Sequence, residues 1–402
     1  MSVPSESRPF FKSIVLPLAV AETIIWASIF YSFPALLLQW ERHTHWSKTE
    51  LTGAFSLALL ASALCAPAAG RLIDRGYARE LFTSATVLGG VMLIVLSQVE
   101  SLWQFYVVWC VIGAAMAGSL YEPCFAVLTR ALKTDSKRGI AALTLIAGFA
   151  GTISFPLLNA FADAWGWRMA LQVTALLMLL SAPVLVWRSV GAAENLSSTG
   201  AEQEKPDARM PSDVFRSTTF WLLGVSFAMI ALSHGVLITH ILPLLDDRGV
   251  QAETAVLAAA MIGPMQVLGR LLMVAVEGHV ATKTVAQFSF IAMGIAALFL
   301  FAVTASAELL VIFVAVYGAA YGVTSITRPV VIAEFLGQEN YGVIAGVLAT
   351  LYLLVVAASP SIASLLWELA GYDSVITLAI IACAIGWVCL LLASKRAAAA
   401  QS

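Results

Sequence analysis

Charge is what this sequence has least of. Only 11% of its 402 residues are Asp, Glu, Lys or Arg, against about 25% in soluble domains. No block of basic residues is present to hold nucleic acid, and a net charge of −2 gives a polyanion nothing to follow. The five cysteines (Cys65, Cys110, Cys124, Cys383, Cys389) fall inside apolar runs, at spacings that match no metal-ligand set. They read as small buried hydrophobes. There is no phosphate-cradling Gly-x-x-x-x-Gly-Lys and no nucleophile motif. The chain is therefore not read as an enzyme, and no cofactor or metal is expected.

What it has instead is hydrocarbon. The sequence is 60% hydrophobic, with a mean hydropathy of +0.90. Twelve runs are apolar and long enough to cross a bilayer: 13–38, 50–70, 80–98, 102–129, 139–161, 168–188, 217–244, 252–276, 283–303, 308–333, 342–365 and 373–393. The first is too long for the core of a signal peptide and has no clear cleavage site, so it reads as a span. One long polar stretch, 189–216, separates six runs from six. The expectation is an all-α polytopic membrane protein. Residues 1–188 form an N-terminal six-helix bundle, 189–216 a cytoplasmic linker, and 217–402 a C-terminal six-helix bundle.

Orientation follows from Lys and Arg. With the N-terminus inside, Arg42, Lys48, Arg168 and Arg248 lie outside, and the other eighteen of the 22 basic residues lie inside. Both termini and the linker are then cytoplasmic, in an inner or plasma membrane. Trp40, Trp46, Trp103, Trp165, Trp167, Trp221 and Trp367 fall near span ends, where interfacial Trp belongs.

The halves repeat each other. Span 4 carries Gly113-Ala114-Ala115 and then Tyr121-Glu122-Pro123; span 10 carries Gly318-Ala319-Ala320-Tyr321 and then Thr327-Arg328-Pro329. Span 5 runs from Gly139 through Pro156 to Gly166-Trp167, and span 11 from Gly342 through Pro360 to Gly371-Tyr372.

Between spans 2 and 3 lies Gly70-Arg71-Leu72-Ile73-Asp74-Arg75-Gly76-Tyr77-Ala78-Arg79. It resembles the loop signature of the major facilitator superfamily, Gly-x-x-x-Asp-Arg/Lys-x-Gly-x-Arg/Lys. Gly70, Asp74, Arg75 and Arg79 fit. The second Gly departs, standing at Gly76 with Tyr77 in its expected place. The resemblance covers the whole chain. It implies two pseudo-symmetric bundles of six transmembrane helices around a midplane site, working by alternating access, with the loop residues as gating elements.

Polar groups inside spans are costly and mark candidate sites. Glu22 lies about ten residues into span 1, with Trp26 one turn on. Glu122 and Arg328 are pseudo-symmetric, each just before a Pro, and suit an inner salt bridge that opens and closes. His234 lies near the middle of span 7, and His240 nearer the outside. Glu22, Glu122 and His234 are the candidates for carrying a coupling proton. Tyr31, Tyr121, Tyr317, Tyr321 and Tyr352 are amphipathic enough to line a cavity.

Arg270 follows Gly269 in span 8, one turn after Gln266. The Gly-Arg resembles the oxalate–formate antiporter and monocarboxylate porter branches, where that Arg binds a substrate carboxylate through its two-pronged fork. The resemblance implies a small organic anion such as a monocarboxylate as substrate, held by Arg270 and Gln266, with a proton or counter-anion as second partner. The carrier is expected to work as a monomer. The alternative is efflux of a drug-like or toxic compound. Against it, Tyr106-Val107-Val108-Trp109 stands where drug–proton antiporters carry an Arg in span 4.

Overall fold

In hydrocarbon only a helix satisfies its own backbone, and every element among the described residues is helical. The computed structural model describes residues 10–132, 136–198, 216–276, 279–305, 307–336 and 341–401. The helices are α1 (Phe11–Thr44), α2 (Lys48–Asp74), α3 (Ala78–Leu96), α4 (Leu102–Ser119), α5 (Tyr121–Leu132), α6 (Ser136–Ala147), α7 (Ala150–Ser198), α8 (Thr218–Thr239), α9 (Ile241–Asp247), α10 (Ala252–Ala275), α11 (Thr282–Leu298), α12 (Ala307–Leu336) and α13 (Tyr341–Gln401).

Ten helical stretches among the described residues are long and apolar enough to cross a membrane. Two of them are too long to cross only once: 138–196 holds 59 residues and 347–397 holds 51, whereas one crossing takes about 20. Each breaks at a glycine in a left-handed conformation, Gly166 (φ 83°) and Gly371 (φ 71°), where a side chain would be strained. Each therefore holds two crossings, and the twelve expected spans are accounted for. Span 4 is also broken, at Leu120 (φ −100°, ψ −157°), between α4 and α5.

The described residues fall into two compact units, Met1–Glu204 and Lys205–Ser402. Within the first, the end of span 1 and the starts of spans 2 and 4 close on an aromatic core. Phe33 stacks on Phe55 with centroids 4.3 Å apart, and Trp109 meets both edge-on at 5.1 and 5.4 Å. Trp40 belongs to this core and is 0% exposed, and Trp167 is 4% exposed. Neither is the interfacial anchor expected, because each has neighbouring rings to pack on. Trp103 (67%), Trp165 (62%) and Trp221 (50%) keep the exposed position. Of the four cations expected outside, Lys48 pairs with Glu41 at 3.1 Å, Arg248 pairs with Asp373, and Arg168 stacks 4.2 Å over Trp167.

In both units glycine brings helix backbones together, since hydrocarbon offers no hydrophobic drive and packing must supply the contact. A methyl group placed on Gly113 of α4 would lie 2.0 Å from the carbonyl oxygen of Ala58 in α2. One placed on Gly322 of α12 would lie 2.1 Å from the carbonyl oxygen of Gln266 in α10.

One boundary differs from expectation. Span 6 does not end at 188: its helix runs through Ser198, with Ser189, Val190 and Ala193 buried. Residues 199–215 of the expected linker lie outside the described residues.

We predict that Gly113→Ala and Gly322→Ala each destabilise the detergent-purified protein by about 1–3 kcal/mol, the usual range for overpacking. Gly70→Ala, with nothing within 4 Å of the added carbon, should melt within a degree or so of wild type. Thermal melts of the three variants check this.

Candidate functional site

The loop between α2 and α3 is shaped by its glycine. Tyr77 N–H donates to Leu72 O and Gly76 N–H to Ile73 O, both at 3.0 Å, the paired bonds of a Schellman cap. That cap requires a left-handed residue at Gly76 (φ +92°), while Tyr77 (φ −96°) needs none. The displaced glycine of the motif thus stands where this turn uses it. Arg75 is exposed, and Gly70 lies one turn before the helix end. The side chain of Asp74 lies outside the described residues.

Arg79 has a defined seat. Its Nε donates to the carbonyl of Trp187 at 3.0 Å, its guanidinium lies 3.8 Å over the Trp187 ring, and its backbone N–H donates to Glu194 Oε1 at 3.2 Å. Gly191 leaves room for it, since a methyl there would lie 2.8 Å from Arg79 Cζ. This docking explains why the span 6 helix continues past 188. From α5, Arg130 Nη1 donates to Ile73 O at 2.8 Å and closes the end of α2.

The first unit gathers Trp26, Tyr31 and Tyr121 at span depth. Trp26 lies 4.7 Å from Tyr121 and 6.4 Å from Tyr31, with Phe30 between them at 4.9 Å from Trp26. Phe125 stacks on Tyr121 at 5.1 Å. Glu22, one turn before Trp26, is 0% exposed. The indole Nε1 of Trp26 is buried with no hydrogen-bond partner among the described residues. Glu122 lies in α5, and its side chain falls outside the described residues.

The second unit joins five of the expected residues through their side chains. The His234 ring stacks on Tyr321, centroids 3.5 Å apart and 8° from parallel, with Tyr317 at 6.1 Å. Tyr321 OH and Tyr352 OH are 3.0 Å apart, and the guanidinium of Arg328 lies 4.5 Å over the Tyr352 ring. Spans 7, 10 and 11 thus meet in one chain of rings running from an imidazole to a guanidinium. His234 Nδ1 is buried without a hydrogen-bond partner among the described residues. Beneath it Ser233 Oγ lies 3.3 Å from Tyr317 OH and accepts from Cys383 Sγ at 3.2 Å.

Arg270 and Gln266 are 9% and 7% exposed, packed where α10 meets α12. Arg270 Nε donates to the carbonyl of Gly322, next to Tyr321, at 3.2 Å. This fixes the plane of the guanidinium. The Arg is buried between the two helices and not spread on the surface of the unit.

His240 belongs to a different group. Its Nε2 lies 3.3 Å from Pro360 O and 3.0 Å from Ser364 Oγ, and its Nδ1 lies 3.3 Å from Tyr372 OH. A carbonyl only accepts, so Nε2 carries the proton and Nδ1 accepts from the tyrosine. Both nitrogens are used in tying span 7 to span 11 and to the turn that follows it.

Long apolar helices with polar clusters buried among them define a multi-pass membrane protein. The family model of the Major Facilitator Superfamily matches residues 18–360, and the chain belongs to that family. Among solved structures, a bacterial homolog of the human lysosomal transporter Spinster, inward-facing and occupied, superposes with a TM-score of 0.66 at 14% identity. The match covers 97% of this chain and 98% of that one. The same homolog, inward-facing and unoccupied, gives 0.62 at 15%, covering 98% and 96%. These likenesses concern the fold. No curated protein sequence matches.

Removing the Arg79 fork should free the end of span 6. In Arg79→Ala, amides of 190–196 should exchange with deuterium faster than in wild type by an order of magnitude or more, and in Arg79→Lys by less. The loss corresponds to a charge-assisted bond of about 1.5–3 kcal/mol. Hydrogen-exchange mass spectrometry of that peptide checks it.

Proposed function

We propose that this chain is a secondary active transporter that moves a small organic anion by alternating access. It works either with a coupled proton or in exchange for a counter-anion, with both termini cytoplasmic. The observation that carries the reading is the second unit's ring chain. Span-depth imidazole and guanidinium groups are costly in hydrocarbon, and here His234, Tyr321, Tyr352 and Arg328 sit in sequence, with the fixed Arg270 beside them in the neighbouring helix pair. Basic and hydroxyl donors suit a carboxylate, and the guanidinium fork matches its two oxygens. The Gly269-Arg270 resemblance to monocarboxylate and oxalate–formate carriers supports the same class. Glu22, Glu122 and His234 are the proton-carrying candidates, and the 70–79 loop with Arg328 is the gating candidate.

A second reading has its own observation. The first unit sets the carboxylic Glu22 one turn from the Trp26–Tyr31–Tyr121 rings, and π faces beside an acid favour a flat cation. That arrangement suits efflux of a cationic, drug-like compound.

Radiotracer uptake into proteoliposomes, across a panel of small carboxylates and one lipophilic cation, separates the two. The anion reading expects saturable carboxylate uptake. Arg270→Lys should then bind the carboxylate more weakly and Arg270→Ala roughly ten- to hundred-fold more weakly than wild type, the equivalent of a charge-assisted bond of about 1.5–3 kcal/mol. Glu22→Gln or His234→Asn should abolish accumulation driven by a pH gradient while sparing counterflow exchange. Uptake of the cation alone, or wild-type carboxylate affinity in folded Arg270→Ala, removes the anion reading.

A further inference from the structure

The helix of α1 is not regular at the site. Between Trp26 and Phe30 it makes a turn of π-helix, and Tyr31 N–H donates to Trp26 O at 3.0 Å. In an α-helix that N–H would go to Ala27 O. The wider turn therefore deprives the Ala27 carbonyl of its helical donor, at a depth where water cannot replace it.

Span 5 supplies the replacement. Ser154 Oγ donates to Ala27 O at 2.7 Å, in a buried bond, and Ser154 itself is 1% exposed. Its neighbours on the same face of α7 act on the same turn. A methyl on Gly151 would lie 3.2 Å from the Tyr31 ring, and the Phe155 ring meets Tyr31 edge-on at 6.1 Å. One face of span 5 thus satisfies the orphan carbonyl, leaves room for the tyrosine and packs against it. Single π-turns inside helices occur often at functional sites, and this one carries Trp26, whose buried indole N–H has no partner among the described residues.

We infer that Ser154 is a positioning residue for transport: its hydroxyl holds the π-turn of α1, and the π-turn sets where Trp26 and Tyr31 point. The role extends the transporter reading and rests on it, and Ser154 itself touches no substrate. Without the hydroxyl, the regular helical way to give Ala27 O a partner is for Tyr31 N–H to return to it. That change removes the extra residue from the turn and rotates the two parts of the helix relative to each other by about 100°. The ring cluster around Trp26 would then come apart.

The test needs no known substrate in its first arm. The protein is labelled with 5-fluorotryptophan, and the Trp26 and Trp109 resonances are assigned with Trp26→Phe and Trp109→Phe. In Ser154→Ala the Trp26 resonance should shift or split, while that of Trp109, in the aromatic core of the same unit, stays in place. Ser154→Thr keeps a hydroxyl and should restore the Trp26 signal. An unmoved Trp26 signal in Ser154→Ala overturns the inference. So does an equal displacement of both resonances, which marks general loosening, and so does a Thr variant that matches Ala. In the second arm, proteoliposome uptake from the carboxylate and cation panel should fall several-fold in Ser154→Ala and recover in Ser154→Thr. A shifted Trp26 with unchanged uptake also overturns the positioning role. Wild-type protein that takes up nothing from the panel counts against the substrate proposals alone, because the fluorine arm stands without them.

Discussion

A backbone carbonyl in hydrocarbon must find a donor within the protein, and much of this structure answers to that demand. Hydroxyls meet the same demand from the donor side by folding back onto the carbonyl one turn earlier: Thr23 on Ala19, Thr86 on Phe82, Ser119 on Ala115, Ser189 on Leu185. At one proline that removes a donor, a neighbour takes its place. Pro360 has no N–H for Val356 O, and Ser359 Oγ donates to that oxygen at 2.8 Å. The price of such economy is that most serines and threonines inside spans are already committed to local bonds. Uncommitted polar atoms occur both in the site, at Trp26 Nε1 and His234 Nδ1, and in the aromatic core, at Trp40 Nε1 and Trp109 Nε1, so the surroundings of each decide what it means.

Most of the architecture was legible in the sequence because membrane crossing leaves so few solutions. Twelve apolar runs, and glycine at 166 and 371, led to the helices observed. The displaced glycine of the loop also makes sense once the Schellman cap is drawn, although the spacing alone could not say whether Gly76 or Tyr77 would take the left-handed place. The continuation of span 6 to Ser198 was not legible. It depends on Arg79, more than a hundred residues away, finding Trp187, Gly191 and Glu194. Trp40 was misjudged for a similar reason: a tryptophan near a span end is interfacial only when no other rings wait to cover it.

The candidate site was legible as a set of residues and not as an arrangement. His234, Tyr317, Tyr321, Tyr352 and Arg328 stand out as polar or amphipathic groups in spans, but their order along one ring chain comes from three helices meeting. His240 looked like a weaker form of His234, yet its neighbours use both of its nitrogens and His234 keeps one unspent. Ser154, Ser233 and Arg130 carried no signal. A serine that bonds across to another helix has the same letter as one that bonds back along its own.

The π-turn at Trp26–Phe30 has a consequence for how span 1 is counted. A wider turn amounts to one residue inserted into a helix without lengthening it by a full step, so the faces before and after it are out of phase. Counting in steps of 3.6 from Glu22 reaches Trp26 correctly but misplaces Tyr31 and everything after it by about 100°. A relative whose first span is regular would match this one only with a gap of one residue between 26 and 30. Aligned without that gap, the acid and the tyrosine would each be paired with side chains that face elsewhere.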